Sequence, residues 1–169
     1  LKRSSGSLLH LSSLPGSYGI GNLGVDARAF VDFLARSEIR FWQTCPVGPT
    51  GYGDSPYQVF SSFAGNPYFI DWDPLVAAGL IHEAELSSLR ELPAHEVDYG
   101  RLYQEFLPCA RLAFSRFSQG KDRLQSLYGE LESFSQENES WLTSYASFKV
   151  LKEREDGKPW WNWSETSRK

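Results

Sequence analysis

The chain has 169 residues, of which 41% are hydrophobic and 15% aromatic, which suits one packed core and is too little for two ordinary ones. Its 17 basic and 21 acidic side chains give a formal net charge of -4 and no basic surface for nucleic acid or an anionic membrane. No apolar run reaches the roughly 20 residues of a membrane-spanning helix, and residues 1–4 lack the apolar stretch of a signal peptide. We therefore expect a soluble, cytoplasmic protein that binds neither nucleic acid nor membrane.

The first elements predict a parallel βαβ unit. Residues 7–11 form a short apolar run typical of a buried strand. A helix should then run from Asp26 to about Ser37, because four apolar side chains share one helical face: Ala27, Phe30, Val31 and Leu34. Residues 41–46 predict a second buried strand that Pro46 ends. Two strands joined by a helix over so few residues should pair in parallel.

Two loops, residues 12–24 and 47–58, follow the predicted strands, and ligands gather at the carboxyl ends of parallel strands. The second loop should be rigid, since its prolines fix φ and its glycines permit sharp turns. Its candidate site residues combine aromatic rings with a carboxylate and a hydroxyl: Tyr52, Asp54, Ser55 and Tyr57. Such side chains suit a sugar, which offers apolar faces and hydroxyl edges. The alternative for Asp54 is an Asx turn before Pro56.

Helical patterns follow these loops. Asp73, Pro74 and Gly79 predict a short helix over residues 75–78. Three amphipathic stripes come next, and we interpret their aromatic side chains as core: Leu102, Tyr103, Phe106, Ala110, Ala113, Phe114 and Phe117, with a kink at Pro108; Leu124, Leu127, Leu131 and Phe134; and Trp141, Leu142, Tyr145, Phe148 and Leu151. The indoles of Trp160, Trp161 and Trp163 are too many in four residues for all to be exposed.

The sequence gives little support for a dinucleotide site, a metal site or a catalytic triad. Residues 19–24 match the dinucleotide pattern G-x-G-x-x-G, but a proline-containing stretch separates them from the strand, and Glu38 precedes the second strand instead of ending it. A glycine-rich helix entry is the alternative. The three histidines show neither zinc spacing nor a catalytic triad, and we expect His10 to be a hydrogen-bonded core residue. Cys45 and Cys109 should be reduced packing residues, so we predict no metal site.

An ordered series of segments carries the most specific information. It consists of LSSLPGSYGIGNLG at residues 11–24, FWQ at 41–43, GPTGYGDSPYQ at 48–58 and SSFAGNPY at 61–68, with weaker similarity at 141–148 and 160–163. The series resembles the amylomaltases, which are 4-α-glucanotransferases acting on maltodextrin. The resemblance implies a (β/α)₈ TIM barrel with inserted subdomains that transfers α-1,4-glucan segments with retention and needs no organic cofactor.

The resemblance also implies roles for particular residues. Ser55 and Tyr57 would line the donor-side sugar subsites, and Tyr52 would lie by a glucan-contacting surface. Tyr99 is similar to a second glucan-contacting position. Asp54 is added to this substrate-binding set because of its chemistry and not because of the resemblance. The partners would be maltooligosaccharides.

The length of the chain limits what it contains. A (β/α)₈ barrel takes about 250 residues, so the fold class expected here is α/β: the N-terminal fragment of a barrel followed by a mostly helical inserted subdomain. We expect residues 1–74 to begin the barrel and carry the binding loop, 75–158 to form the helical subdomain and 159–169 to lead into the rest of the barrel. The catalytic carboxylates of the family come from later strands, so no residue of this chain is assigned a catalytic role.

Two consequences complete these expectations. The apolar faces of the two strands, which carry Leu8, Leu9, Phe41 and Trp42, would be uncovered and would favour self-association of the fragment. The alternative function is a stand-alone α-glucan-binding module without catalysis, which would expose Tyr52, Tyr57 and the tryptophans near the end of the sequence.

Overall fold

The predicted βαβ unit is present in the computed structural model, which describes residues 3–51, 53–119 and 124–168. Strand β1 (Gly6–Leu8) is followed by helix α1 (Val25–Arg36) and strand β2 (Phe41–Gln43). The two strands pair in parallel, with the Cα of Gly6 opposite that of Phe41. The parallel pairing is therefore confirmed, although both strands are shorter than predicted.

Helix α1 confirms the predicted helix almost to the residue. Asp26 lies in its first turn, where a negative charge favours the positive end of the helix dipole. Ala27 and Leu34 are buried and Phe30 packs against the core, whereas Val31 is 50% exposed. The prediction for Val31 was wrong because the buried stripe of this helix is narrow: it follows the spacing of Ala27, Phe30 and Leu34.

The prediction that both strands are buried is wrong. The side chain of Leu8 is 66% exposed and that of Phe41 is 61% exposed. Leu9 and Trp42 are partly buried against the core, and the indole N–H of Trp42 donates to the Leu9 carbonyl at 2.7 Å. Since β1 and β2 are the only strands of the sheet among the described residues, one face of the sheet has no layer packed on it there.

The main core lies largely among helices and turns outside the sheet. These are the short helices α2 (Asp73–Ala77) and α3 (Ser87–Arg90), the long helix α4 (Tyr99–Phe117), and 3-10 turns at Leu11–Ser13, Pro67–Phe69 and Glu83–Leu86. The largest fully buried side chains come from this region: Trp72, Phe106, Leu80, Ile81, Leu86, Leu89 and Leu102. The short helix predicted after Asp73 is confirmed, and Gly79 beyond its end has a φ of 67°.

Helix α4 runs continuously past Pro108. Its buried side chains are Leu102, Phe106, Cys109 and Ala113. Tyr103 and Phe114, which the sequence assigned to the core, are each 62% exposed. The buried positions of Leu102, Phe106 and Ala113 agree with the predicted stripe, whereas Cys109, which the stripe left out, is also buried.

The last part of the chain is a second compact unit. The two units are Leu1–Ser126 and Leu127–Lys169. The boundaries predicted after residues 74 and 158 concern the parts of a larger barrel and stay predictions.

The second predicted stripe falls on two helices, α5 (Gln125–Tyr128) and α6 (Leu131–Glu137). Gly129 separates them with a φ of 77°, a conformation that glycine adopts without strain. Phe134 is 47% exposed, so its assignment to the core was wrong, and Leu127 and Leu131 of the same stripe are 62% and 42% exposed. The break at Gly129 is the reason, since it interrupts the spacing that a single helix would have kept.

The remaining helices are α7 (Glu139–Arg154) and α8 (Glu165–Arg168), with a 3-10 turn at Trp160–Asn162. The predicted apolar face of α7 is only partly buried. Trp163 is 7% exposed and its indole N–H donates to the Lys158 carbonyl at 2.8 Å, while Trp160 and Trp161 are exposed. The expectation that the three indoles are not all exposed is therefore confirmed. Within the described ranges, no helix combines the length and the apolar character needed to cross a bilayer.

A bidentate ion pair joins α4 to the turn before α3. Two guanidinium nitrogens of Arg116 donate to the two carboxylate oxygens of Glu85, at 2.6 and 2.7 Å. One of them also donates to the Leu80 carbonyl at 3.3 Å. These bonds from Arg116, followed by the backbone N–H of His82, lower the pKa of Glu85 from 4.5 to about 2.

The low pKa of Glu85 predicts an acid-dependent contribution to stability. Because the folded pKa lies below the unfolded one, the stabilisation is complete above about pH 5 and is lost as the pH falls towards about 2. We expect Glu85→Gln to lower the free energy of unfolding at neutral pH and to flatten its decline between those pH values, as measured by urea titrations. The control is Glu91→Gln, at an exposed position of the same unit. An unchanged pH slope in Glu85→Gln would contradict the assignment.

Candidate functional site

The loop of residues 47–58 leaves β2 and is held by backbone hydrogen bonds to the segment after it. The N–H of Asn66 donates to the Val47 carbonyl at 2.8 Å. Thr50 and Val59 form an antiparallel bridge, and the N–H of Phe60 donates to the Pro49 carbonyl at 3.0 Å. These bonds close the loop into a hairpin-like unit, so its tip is positioned by both flanking segments.

Asp54 lies at the tip of this loop in an unusual backbone conformation. Its φ is 51°, and that of Gly53 before it is 93°. The N–H of Asp54 donates to the Gly51 carbonyl at 3.1 Å, and its carboxylate accepts from the Thr50 hydroxyl at 3.4 Å. Partial burial raises the pKa of Asp54, and the bond from Thr50 opposes that rise. The carboxylate is thus fixed in place at the edge of the protein.

Tyr57 projects from the same loop into solvent. Its side chain is 75% exposed, and its hydroxyl donates to the Cys45 sulfur at 3.6 Å. The backbone N–H of Tyr57 lies 3.4 Å from the Ser55 hydroxyl oxygen, which accepts from it. Cys45 and Cys109 are both free thiols, as predicted. An aromatic ring presented in this way leaves its face open to a ligand.

The other two predicted site residues are Tyr52 and Tyr99. Tyr52 lies outside the described residues. Tyr99 is the first residue of α4, and Asp98 caps that helix by accepting from the N–H of Arg101 at 3.0 Å. Tyr99 lines an open cleft of about 580 Å³, together with residues 12–16, 19–20 and 93–97. Asp54, Ser55 and Tyr57 are not part of that lining.

Tyr68 packs against α4, and the sequence analysis did not single it out. It lies in the turn Pro67–Phe69, and its ring packs edge-on against Phe106 with centroids 5.1 Å apart. Burial, followed by electrostatic interactions with Asp54, Tyr103 and Tyr99, raises the pKa of Tyr68 to about 12. The only sequence signal for Tyr68 was its place at the end of the segment 61–68.

The glycines of residues 16–24 are explained by packing. A Cβ on Gly16 would overlap the Ile20 carbonyl, and one on Gly21 would overlap the carbonyl of Leu11 and lie 2.7 Å from that of Leu14. Gly24 precedes α1, and its N–H donates to the Asn22 side chain at 2.9 Å. These contacts favour the glycine-rich helix entry over a dinucleotide site.

The three histidines lie in different surroundings. The Nδ1 of His10 lies 3.1 Å from the Thr44 hydroxyl, and its ring packs edge-on against Phe69, so the predicted hydrogen bond is confirmed. The prediction that His10 is a core residue is wrong, because its side chain is only partly buried. The backbone N–H of His82 donates to Glu85 at 2.8 Å. His95 lines the cleft beside Tyr99.

The comparisons with known proteins point to one family. A family model described as 4-alpha-glucanotransferase matches residues 9–169. The chain is 46% identical over 163 residues to a 4-alpha-glucanotransferase of Streptococcus pneumoniae, an alignment that covers 96% of this chain and 31% of the relative. It is 45% identical over 170 residues to the 4-alpha-glucanotransferase of Thermus thermophilus, with 100% and 33% covered.

A solved structure is similar as well. It is an amylomaltase from Streptococcus agalactiae in complex with acarbose, with a TM-score of 0.87 and 38% identity over 98% of this chain and 33% of that chain. The chain thus spans about a third of the length of the curated relatives and the solved structure that it matches.

The packing of the glycines gives a stability prediction. We expect Gly21→Ala to lower the free energy of unfolding by about 1–3 kcal/mol, because its Cβ would meet two backbone carbonyls that have no room to move. Gly65→Ala is the matched control, since a Cβ there meets nothing within 4 Å. Urea denaturation of both variants provides the measurement. Equal stabilities would show that Gly21 is not a packing residue.

Proposed function

Since this chain belongs to the 4-alpha-glucanotransferase family, we propose that it forms part of an enzyme that transfers α-1,4-glucan segments between maltodextrins with retention of configuration. The observation that supports this most is the family match over residues 9–169, joined to a rigid loop that presents Tyr57 to solvent. The whole enzyme would contain a (β/α)₈ barrel, of which β1, α1 and β2 are the first part. In that arrangement residues 1–74 belong to the barrel, 75–158 to a helical subdomain and 159–169 to the return into the barrel.

The role of this chain in that enzyme is to bind glucan. A pyranose ring has C–H faces that pack on aromatic rings and hydroxyl edges that need hydrogen-bonding partners. Tyr57 offers an open ring, while Ser55 and Asp54 lie within three residues of it on a loop held by backbone bonds. Tyr52 and Tyr99 complete the proposed set of glucan-contacting residues. Acarbose, the ligand of the matched Streptococcus agalactiae structure, supports a ligand of this class.

The reacting groups come from elsewhere in the enzyme. Retaining transfer between sugars uses two carboxyl groups about 5 Å apart, one as nucleophile and one as acid/base. A single general acid contributes about 10²–10⁴-fold, whereas enzymes accelerate reactions by about 10⁶-fold or more. Asp54 alone is therefore insufficient, and we assign it to binding. Both members of the pair, the nucleophile and the acid/base, lie outside these 169 residues in the proposed enzyme. The greater length of the relatives leaves room for them.

The location proposed for this enzyme is the cytoplasm. Cys45 and Cys109 are free thiols, which suits a reducing compartment. The exposed Leu8 and Phe41 of the sheet support a further proposal, that the isolated 169-residue chain self-associates through this apolar face.

Replacing the exposed tyrosine tests the proposed function. In the natural protein that carries this sequence, we expect Tyr57→Ala to raise the KM for long maltodextrin donors about 5- to 10-fold, because one ring contact worth about 1–1.5 kcal/mol is removed. Initial rates of glucose release and of product elongation give the measurement. Tyr57→Phe should stay close to the wild-type KM because it keeps the ring.

The matched control is Tyr128→Ala, which removes a tyrosine that is 62% exposed on α5. It should leave the kinetics unchanged. If Tyr57→Ala matched this control, Tyr57 would not be a glucan contact.

The isolated chain tests whether glucan binding and catalysis are carried by different segments of the enzyme. We expect residues 1–169 alone to show no elongation of maltotriose, since the reacting carboxyl pair is absent, and product analysis by chromatography provides the check. A titration with maltoheptaose separates the alternative function: a stand-alone binding module should bind it and lose binding in Tyr57→Ala, as the exposure of Tyr57, Trp160 and Trp161 would permit. Elongation by the isolated chain would overturn the assignment of the chemistry to other segments.

A further inference from the structure

The loop of the candidate site and the segment after it approach each other so closely that two positions have room only for glycine. A Cβ on Gly48 would lie 2.8 Å from the Ser61 carbonyl oxygen and 3.0 Å from the Cβ of Val59. A Cβ on Gly51 would lie 2.7 Å from the Cζ of Phe60 and 3.2 Å from its Cε2. The two segments are therefore in direct contact at both positions.

The ring of Phe60 occupies the space that a side chain at position 51 would need. The backbone of Phe60 is fixed, because its N–H donates to the Pro49 carbonyl at 3.0 Å and the bridge between Thr50 and Val59 lies beside it. Phe60 is 38% exposed, so most of its surface is covered although it lies outside the main core. The end of the ring thus rests on the backbone of Gly51.

Gly51 connects this contact with the candidate binding residues. Its carbonyl accepts from the N–H of Asp54 at 3.1 Å, which closes the turn at the tip of the loop. The Asp54 carboxylate accepts in turn from the Thr50 hydroxyl at 3.4 Å, on the residue before Gly51. A ring that restrains Gly51 therefore also restrains the turn from which the chain continues to Tyr57.

We propose that Phe60 is a positioning residue that holds the loop in the conformation in which Asp54 and Tyr57 meet glucan. Its ring acts through Gly51 and the turn, and it contacts no sugar itself. The inference rests on the proposed function and deepens it, since the sequence pattern gave Phe60 no role. The physical effect is preorganisation: a loop that is ordered before the ligand arrives loses less conformational entropy on binding.

Two substitutions in the natural protein test the contact from opposite sides. Phe60→Ala removes the ring, and Gly51→Ala displaces it, since the φ of Gly51 lies outside the left-handed region and suits alanine. Each should weaken binding of maltoheptaose with sulfur in place of its glycosidic oxygens about threefold, as measured by equilibrium titration. Each should also speed hydrogen exchange in peptides covering residues 50–58 at an unchanged thermal midpoint. In the double variant the effects should not add, because no ring remains to be displaced.

Phe134→Ala is the matched control, because Phe134 is a partly exposed phenylalanine of α6, at 47%. It should change neither binding nor the exchange of residues 50–58. If Phe60→Ala behaves like this control while Tyr57→Ala is weakened, the positioning role is wrong and the proposed function stands. Weaker binding without faster exchange, or full additivity in the double variant, would also overturn the positioning role. If the wild type neither binds the analogue nor transfers glucan, the proposed function fails and this inference fails with it.

Discussion

Phe106 packs between two rings that precede it by more than thirty residues, and the position of the candidate site depends on these contacts. Trp72 and Tyr68 each lie 5.1 Å from it, centroid to centroid, in edge-to-face arrangements. Aromatic pairs of this kind contribute about 0.5–1.5 kcal/mol beyond the area they bury. Through them α4 is fixed against the segment that follows the loop and carries Tyr68 and Trp72.

The loop and α4 are each held in place by further bonds that do not involve Phe106. The loop is closed by backbone bonds at Val47 and Pro49, whereas α4 is joined to the turn before α3 by Arg116 and Glu85. Neither set of bonds uses the side chain of a residue that we propose as a glucan contact. The loop and the helix are therefore held in part by groups that a ligand would not touch.

The sequence predicted best what local spacing determines. The start of α1, the short helix that begins at Asp73 and the parallel pairing of the two strands all follow from acidic or proline residues in a first helical turn, from turn residues and from periodicity. Burial was harder to predict. Leu8 and Phe41 have the composition of buried strands but are exposed, because burial depends on which elements cover a face and not on the residues of that face.

In the candidate site, too, the sequence predicted local features and missed contacts between distant segments. Asp54, Ser55 and Tyr57 were found because they are neighbours in one loop of unusual composition. Tyr68 was missed because its packing against Phe106 joins two segments that are distant in the chain. Tyr103 was assigned to the core because it lies in the same helical stripe as Phe106. The predicted stripe on α4 also left out Cys109, a small residue that is buried.

The backbone at Asp54 limits which amino acids that position can accept during evolution. With a φ of 51°, a side chain branched at Cβ would be strained whatever it bound, while asparagine and glycine adopt this conformation at little expense. Of these, asparagine keeps an oxygen that can accept from Thr50, and glycine keeps only the shape of the turn. Divergence at position 54 is therefore restricted by the fold itself, so an aspartate found there in another sequence would not by itself prove that the sequence binds the same sugar.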